Sequence, residues 1–334
     1  MNISNDMYYQ DYLKFWMDNY SVPNNRDTTT KSYQYTITKR INPALGSHKL
    51  NELSAANIQA FINSLLPLKK WTIIATLKII RHSLNIATDT LDLLVENPCD
   101  KVFVPKTAEP SRVTGLCDEE VLKVLKDTEK RACGVPIRLA YLTGMRAGEV
   151  CALTWDKVDF EKRMLYIEHG LTSLDKTNWR ISPPKTKTSI RELPMHEGLY
   201  QFLKNLKRQQ EKAEKKKGYR FYRICDDGYI VACSQKESNV RFVCAKPDGF
   251  FTHPVCLATN CARVAKRVGF RFTFHMLRHT YATQLLENKA SIVDISNRLG
   301  HASTETTLNI YLHRTTKMAE ATNAILDEKF IKIS

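Results

Sequence analysis

The sequence predicts a mainly α-helical protein with two domains: a four-helix N-terminal domain, and a larger α+β domain with a small antiparallel sheet. Three observations favour this fold class. Apolar residues recur at intervals of three and four through residues 7–95, the period of helices that pack along one face. Residues 97–115 hold three prolines and lack that period, which is typical of a linker. Beyond them, the segment RMLYIEHG alternates apolar and polar residues like a strand.

Four helices are expected in the N-terminal domain. The second should stop at Pro43, because proline does not continue a helix, and Ser54 is well placed as the N-terminal cap of the third. Pro67 separates the third helix from the fourth. We assign residues 1–104 to this domain and residues 105–115 to the linker. The four predicted helices cover residues 7–20, 28–41, 55–66 and 71–95.

The second domain, residues 116–334, is predicted to mix helices with short strands. Acidic residues open a helix at 118–131, where they suit the positive end of the helix dipole. Segment 178–195 holds two short strands around a turn rich in lysine and threonine, which predicts a hairpin. A charged helix follows at 201–218, and residues 219–252 are interpreted as a variable insertion of strands and loops. The remaining predicted helices are 259–269, 275–287, 291–300 (capped by Ser291 with Asp294) and 315–330.

Charge and composition narrow the class of partner. The chain has 334 residues and a formal net charge of +15. Residues 1–105 carry 11 Lys and Arg against 9 Asp and Glu, so the surplus lies in the second domain. A surplus of this size is typical of proteins that bind nucleic acid, although a basic protein without such a partner remains an alternative.

The same composition favours a cytoplasmic protein. The sequence lacks an apolar run long enough to span a membrane. Its first residues do not resemble a signal peptide. Nine scattered cysteines are typical of a reducing compartment. We therefore expect a cytoplasmic protein, which would associate with the nucleoid if the nucleic acid that its charge favours is DNA.

The segment FHMLRHTYATQLL places His275, Arg278 and His279 on one face of a predicted helix. The histidines have the spacing of a helical zinc site. However, Met276 stands where a metalloprotease has its glutamate, and Arg278 would repel a cation. An anion site is the better interpretation, with His279 as a buried support and Tyr281 as a core residue.

Other segments supply groups that suit phosphoryl transfer without a metal. Arginines neutralise the non-bridging oxygens in the transition state. A tyrosine can act as nucleophile once cations favour its phenolate, since its ordinary pKa is about 10. Glu149 should orient an arginine or cap the local turn. The further candidates are Arg146 after a glycine turn, Lys185 and Lys187 in the predicted hairpin turn, His301 after Gly300, and Tyr311.

Four motifs together carry a family resemblance. TGMRAGE, PPKTKTSIRELP, HMLRHTYAT and LGHASTETTLNIY resemble the catalytic domain of tyrosine recombinases, most of all the integrases of phages and conjugative transposons. They stand in that family's order, and the resemblance covers residues 116–334. The four-helix segment resembles, more weakly, the family's SAM-like core-binding domain.

The resemblance implies a role for each matching residue. Arg146 and Arg278 correspond to the two arginines that contact the scissile phosphate, and Tyr311 corresponds to the nucleophile. His275 corresponds to a histidine in proton transfer and phosphate contact, and His301 to a histidine that hydrogen-bonds the phosphate. Lys185 best matches the lysine that protonates the departing 5′ oxygen, with Lys187 as the alternative.

The resemblance also implies the reaction and its partners. Tyr311 would form a 3′-phosphotyrosyl link with double-stranded DNA at attachment or recombination sites, without metal, ATP or another cofactor. Four protomers would assemble on DNA and exchange C-terminal tails, although the tail could equally pack on its own domain. Accessory DNA-bending or excision factors are further partners that the resemblance allows. The alternatives are a type IB topoisomerase, a DNA-binding protein without catalysis and, more remotely, a zinc hydrolase.

Basic residues of the first domain are the candidate contacts to the DNA backbone. Integrases of this kind often carry a further N-terminal domain for arm-type sites. This sequence begins about seven residues before its first predicted helix, which fits either a naturally short member or a shortened chain. The candidate DNA-binding residues are Lys31, Lys39, Arg40, Lys69, Lys70, Lys78 and Arg81, with Lys187 in the second domain.

Overall fold

A computed structural model describes residues 3–105, 115–173, 175, 177–184 and 187–301. The chain divides into two compact units, Met1–Arg112 and Val113–Ser334, and each is described separately below. Two predicted catalytic residues, Lys185 and Tyr311, lie outside the described residues, as does the predicted tail helix 315–330.

The first unit is a helical bundle, as the sequence predicts. Its helices enclose a continuous apolar core that includes Trp16, Ile58 and Leu84. The hydroxyls of two buried tyrosines form hydrogen bonds with one serine. Tyr9 Oη lies 2.8 Å from Ser83 Oγ, and Tyr12 Oη donates to the Ser83 carbonyl at 2.7 Å. The helices are α1 (Tyr9–Trp16), α2 (Asp27–Thr36), α3 (Asn42–Leu45), α4 (Ala55–Ser64) and α5 (Lys70–Asp89), and π-helical turns at Met17–Ser21 and Ile37–Ile41 extend α1 and α2.

Local chemistry explains where these helices begin and end. Ser54 caps α4 as predicted, in a reciprocal pair with Asn57. The predicted stop at Pro43 is wrong, because Pro43 lies in the first turn of α3, where a missing N–H is tolerated. The predicted extension of α5 to residue 95 is also wrong. The chain turns at Asp92, which has a positive φ of 51°, and its apolar residues pack back on the bundle core.

The second unit surrounds a larger core with helices and short strands. Helix α11 is central, with eight of its residues buried, among them Leu277 and Tyr281. Trp155 and Trp179 are both buried in this core. The helices are α6 (Asp118–Thr128), α7 (Gly134–Thr143), α8 (Ala147–Ala152), α9 (Glu197–Glu214), α10 (Pro254–Val268), α11 (Phe274–Glu287) and α12 (Ile292–Leu299).

Seven strands of the described chain form three small antiparallel sheets, in the orders β1-β2-β5, β3-β4 and β6-β7. In the first sheet, Leu165 pairs with Leu193, and Ile167 pairs with Arg191. The strands are β1 (Val158–Asp159), β2 (Met164–Ile167), β3 (Gly170–Ser173), β4 (Trp179–Ser182), β5 (Arg191–Pro194), β6 (Phe221–Ile224) and β7 (Ile230–Cys233).

The hairpin predicted within residues 178–195 is wrong in its pairing. Its two strands exist as β4 and β5, but β4 pairs with β3 and β5 pairs with β2. The hairpin is formed instead by β3 and β4, because Asp175 organises the turn between them. Its Oδ1 accepts from the backbone N–H groups of Thr177 and Asn178 at 2.9 and 2.7 Å, which is the local bonding that favours a tight turn.

Two glycines bring the ends of α7 and α12 close to the central helix. Gly144 and Gly300 end these helices with positive φ values of 67° and 64°. A Cβ on Gly144 would lie 2.6 Å from the Tyr281 ring and 2.7 Å from Leu299, and one on Gly300 would lie 3.0 Å from an Arg191 nitrogen. Only glycine combines this conformation with such close approach. His301 directly follows Gly300, and Arg146 lies two residues after Gly144, so the two glycines help to place both residues.

The predicted capping box at the start of α12 is wrong. Ser291 precedes the helix, but its side chain makes no capping hydrogen bond. Asp294 instead accepts from Arg298 Nε one turn later, at 2.9 Å. An ion pair at this spacing competes for the carboxylate that the cap would need. Within the part of the chain that the structure describes, the helices are too short or too polar to cross a membrane.

Candidate active site

Arg278 is the buried centre of the candidate site. The residue is only 3% exposed, and its guanidinium donates to the Gly144 carbonyl at 2.8 Å and to the Leu299 carbonyl at 2.7 Å. Both oxygens belong to helix C-termini, which carry partial negative charge. Burial, together with the nearby charge of Arg146, lowers the pKa of Arg278 to about 9, so it remains a cation at neutral pH.

Arg146 precedes α8 and is fixed by Glu149 one turn later. Its Nη1 donates to Glu149 Oε1 at 2.9 Å, and its backbone N–H donates to Oε2 at 2.9 Å. Its Nη2 donates to the Gly300 carbonyl at 3.1 Å. Glu149 therefore both orients the arginine and caps the helix, so the two predicted roles are confirmed together. The Arg146 side chain is 39% exposed, so part of it faces solvent.

A third arginine, Arg191, was not among the predicted site residues. It opens β5 and is 9% exposed. Its Nη2 donates to Glu149 Oε2 at 2.9 Å, and its Nε donates to the Arg298 carbonyl at 2.6 Å. The signal was present in the sequence, since Arg191 and Leu193 alternate with exposed Glu192 and Pro194 along the strand. A cation on the inward face of a strand needs a buried partner.

Glu149 stays ionised despite its burial. Burial alone raises the pKa of this carboxyl, but the hydrogen bond and charge of Arg191, together with Arg146, outweigh burial and leave its pKa below the ordinary value of 4.5. Removing either arginine would leave a buried carboxylate without part of its compensation. The Glu149 carboxylate therefore fixes the positions of Arg146 and Arg191 relative to each other.

His275 and His279 lie one turn apart on α11 with their rings edge to face, the centroids 4.7 Å apart. Loss of solvation, followed by the charges of Arg278 and Arg146, lowers the pKa of His275. Burial and the neighbouring His275 and Arg278 lower the pKa of His279 to about 4. His279 is thus a neutral, half-buried neighbour of the more exposed His275. Among the described residues, groups of three or more His, Cys, Asp or Glu side chains suited to a metal are absent.

His301 completes the part of the site that the structure describes. It follows Gly300, and its backbone N–H donates to the Ser296 carbonyl at 3.1 Å. Burial lowers the pKa of His301 to about 4, and Arg278, Arg146, Arg191 and His275 add to the effect. Such charge effects require proximity. The predicted residues Arg146, His275, Arg278 and His301 are therefore gathered at one place.

The predicted DNA contacts differ in their surroundings. Lys31, Lys39, Lys69 and Lys78 are exposed. Arg81 is partly buried and donates to the Cys99 carbonyl at 2.9 Å, which gives it a structural role between α5 and the following turn. Trp71, which was not among the predicted contacts, is 71% exposed beside Lys69 and Lys70. An aromatic residue at the polar start of α5 could have indicated it from the sequence. The complete set of predicted contacts is Lys31, Lys39, Arg40, Lys69, Lys70, Lys78 and Arg81, with the Lys187 side chain outside the described atoms.

The geometry defines what this site can do. Two guanidinium groups are held by backbone carbonyls and a buried carboxylate, so they need little rearrangement to meet an anion. Neutral imidazoles beside them can donate or accept a hydrogen bond at neutral pH. Preorganised cations in a partly desolvated pocket stabilise charge that develops on a phosphoryl group.

Comparison with protein families agrees with this reading. Residues 116–318 match the model of the phage integrase family, and residues 8–66 match that of the phage integrase N-terminal SAM-like domain. The chain therefore belongs to the phage integrase family, whose members are tyrosine recombinases. The predicted family and fold class are thereby confirmed.

Similar proteins are found among bacterial recombinases, integrases and transposases. A XerC-like tyrosine recombinase of Caldanaerobacter subterraneus subsp. tengcongensis is 29% identical over 308 residues, which cover 87% of this chain and 75% of the relative. The ICEBs1 integrase of Bacillus subtilis is 26% identical over 66% of this chain. The Tn916 transposase of Enterococcus faecalis is 28% identical over 71%. The chain spans 56% and 55% of these last two relatives.

Solved structures share the fold. The Tn1549 transposon integrase in complex with transposon right end DNA aligns over 96% of this chain and 99% of its own, with a TM-score of 0.78 and 21% identity. A lambda integrase tetramer bound to a Holliday junction aligns over 94% of this chain and 79% of its own, with a TM-score of 0.67 and 18% identity.

The histidine environment predicts a measurable titration. In NMR spectra of imidazole carbons, His279 and His301 should titrate at a pKa of about 4, because burial and nearby cations disfavour protonation. The unfolded chain would bind more protons than the folded one between pH 6.5 and 4, so the second unit should lose stability as pH falls through this window. The variants His279→Gln and His301→Gln assign the signals. Titration of either residue near 6.5 would contradict the described electrostatics.

Proposed function

We propose that this chain is the site-specific recombinase of a mobile element, which cuts and rejoins DNA through a 3′-phosphotyrosyl intermediate. The observation that carries the proposal is the cluster of Arg146, Arg278, His275 and His301 around one point, in a chain of the phage integrase family. Such a cluster matches the charge of a phosphodiester in its transition state. Integrases of transposons and phages among the similar proteins support the assignment to a mobile element.

Each group has a role in the proposed reaction. Arg146 and Arg278 hold the two non-bridging oxygens of the scissile phosphate. His301, neutral at its low pKa, donates a hydrogen bond to the same phosphate, and His275 assists proton transfer at the attacking oxygen. His279 supports His275 from behind. Tyr311, whose phenolate the cations of the site would favour, attacks phosphorus and becomes linked to the 3′ side of the break.

The leaving group is the 5′ oxygen, which must gain a proton as the P–O bond breaks. We assign this step to Lys185, with Lys187 as the alternative. A 5′ hydroxyl of a partner duplex then attacks the phosphotyrosine and releases Tyr311. One phosphodiester is broken and one is formed, so the sequence of steps does not call for ATP or a metal.

The proposed partners are double-stranded DNA and further copies of this chain. The exposed lysines of the first unit supply counter-charge to the DNA backbone, and Trp71 offers an aromatic face among them. We propose a tetramer on DNA, with the C-terminal tail packed on a neighbouring copy. Accessory DNA-bending or excision factors complete the proposal, and the reaction would take place on cytoplasmic DNA.

The covalent intermediate gives the first test. A nicked suicide substrate that carries the recombination site should trap a protein–DNA adduct in the presence of EDTA. The variant Tyr311→Phe should form none, because phenylalanine lacks the attacking oxygen, while it keeps DNA binding within about twofold since the change is neutral and small. Denaturing gel electrophoresis measures the adduct, and a mobility shift measures binding.

An adduct that persists in Tyr311→Phe, or that needs a divalent metal, would overturn the assignment. The same substrates separate recombination from a type IB topoisomerase. A recombinase joins the cleaved strand to a second, differently labelled duplex, whereas a topoisomerase only reseals the original one. Exclusive resealing would replace the proposed recombinase with that alternative.

The general acid can be assigned with a modified leaving group. A 5′-bridging phosphorothiolate substrate releases a thiolate, which does not need a proton to depart. Lys185→Ala should slow cleavage of normal DNA by about 10²–10⁴-fold, the usual range for general acid catalysis, and the modified substrate should restore its rate. Lys187→Ala is the matched variant. Rescue of Lys187→Ala alone would transfer the role to Lys187, and rescue of neither would exclude both.

A further inference from the structure

Arg191 connects three segments of the second unit. Its guanidinium donates to Glu149 in α8, to the Arg298 carbonyl near the end of α12, and to the Ser189 carbonyl before its own strand, at 2.9, 2.6 and 3.1 Å. The first leads to Arg146, the second to His301 and the third to the short turn Lys187–Ser189. A planar fork of five donors can bridge such separate acceptors, whereas a lysine cannot.

The Arg191 guanidinium is engaged within the protein, because its Nε, Nη1 and Nη2 each donate to a protein acceptor. Its side chain is 5% exposed, and that of Glu149 is 6% exposed. Arg146, which bonds the other oxygen of the carboxylate, is 39% exposed. Of these three groups, Arg146 is thus the one most open to solvent. Gly300 closes over Arg191, since a Cβ there would lie 3.0 Å from its Nη1.

We propose that Arg191 is a positioning residue for strand cleavage, which holds Arg146 and His301 in their reactive places through Glu149 and the end of α12. This inference rests on the proposed recombinase function. By occupying one oxygen of Glu149, Arg191 leaves the other to Arg146 Nη1, so the Arg146 guanidinium can also reach Gly300 and present its remaining edge to a phosphate. Without Arg191, both carboxylate oxygens of Glu149 would be open to the Arg146 guanidinium, or the carboxyl would become protonated.

The charged groups that face Glu149 define the pH dependence. They are Arg191 on β5, Arg146 at the start of α8 and, further away, Arg278 on α11. The two nearest arginines together keep the carboxyl pKa low against the effect of burial. Removal of Arg191 raises that pKa, so Glu149 is protonated at a higher pH. The acid limb, which is the fall of the cleavage rate at low pH, therefore shifts to higher pH.

The test measures single-turnover cleavage of the suicide substrate against pH. Arg191→Met should lower the rate at pH 7 by about 10- to 100-fold, the cost of a misplaced catalytic group, and should shift the acid limb to higher pH. The double variant Arg191→Met with Glu149→Gln should abolish that shift, because an amide does not titrate. Arg191→Lys keeps the charge but loses the bridging geometry, so its rate should fall while its acid limb stays near that of the parent.

A matched control removes another arginine of the same unit. Arg267 forms a two-pronged pair with Asp127 at 2.8 and 2.7 Å, away from the candidate site. Arg267→Met should lose stability but keep the parental rate and pH profile. If both Arg191 variants behave like Arg267→Met, Arg191 is only a structural brace and the inference is overturned.

Two further outcomes also decide the matter. If Arg191→Met does not fold, the decision rests on Arg191→Lys. A cleavage rate equal to that of the parent overturns the inference. A reduced cleavage rate with the acid limb of the parent supports it. If the parent chain itself forms no adduct, the proposed function fails, and the positioning role falls with it. A cleaving parent with unchanged Arg191 variants removes the positioning role alone.

Discussion

The candidate site depends on a buried carboxylate shared between two arginines. Burial alone would raise the pKa of Glu149 and favour its neutral form, which accepts fewer hydrogen bonds. Arg146 and Arg191, both 2.9 Å from its oxygens, favour the ionised form. The carboxylate in turn aligns Arg146, whose side chain is partly exposed. Arg146, which is partly exposed to solvent, is thereby positioned by two buried groups, Glu149 and Arg191.

The rest of the site follows from where helices end. Gly144 and Gly300 let α7 and α12 terminate against α11, and the last carbonyls of these helices hold Arg278 and Arg146. Such carbonyls lack partners within their own helices, so the arginines satisfy them. Burial, together with the resulting cluster of cations, lowers the pKa of each neighbouring histidine. The imidazoles are therefore neutral at the place where the proposed phosphate would bind.

Much of this could be predicted from the sequence because its signals are local. Helical periodicity predicted the bundle, and short motifs predicted that Arg146, His275, Arg278 and His301 belong to one site. Their chemical roles, like those of Lys185 and Tyr311, stay predictions. Arg191 was not predicted, because its partners Glu149 and Arg298 lie 42 and 107 positions away along the chain. The pairing of β4 with β3 was missed for a related reason: alternation predicts a strand but not its neighbour, and the turn at Asp175 decided between the alternatives.

The ionisation of Glu149 tests the central claim most directly. A ¹³C-detected titration of glutamate carboxyl groups, assigned with Glu149→Gln, measures its pKa in the folded protein. The described network predicts a pKa below the ordinary 4.5, because two arginines outweigh burial. A Glu149 carboxyl that titrates above this value, and so takes up its proton as a buried acid would, would contradict the account.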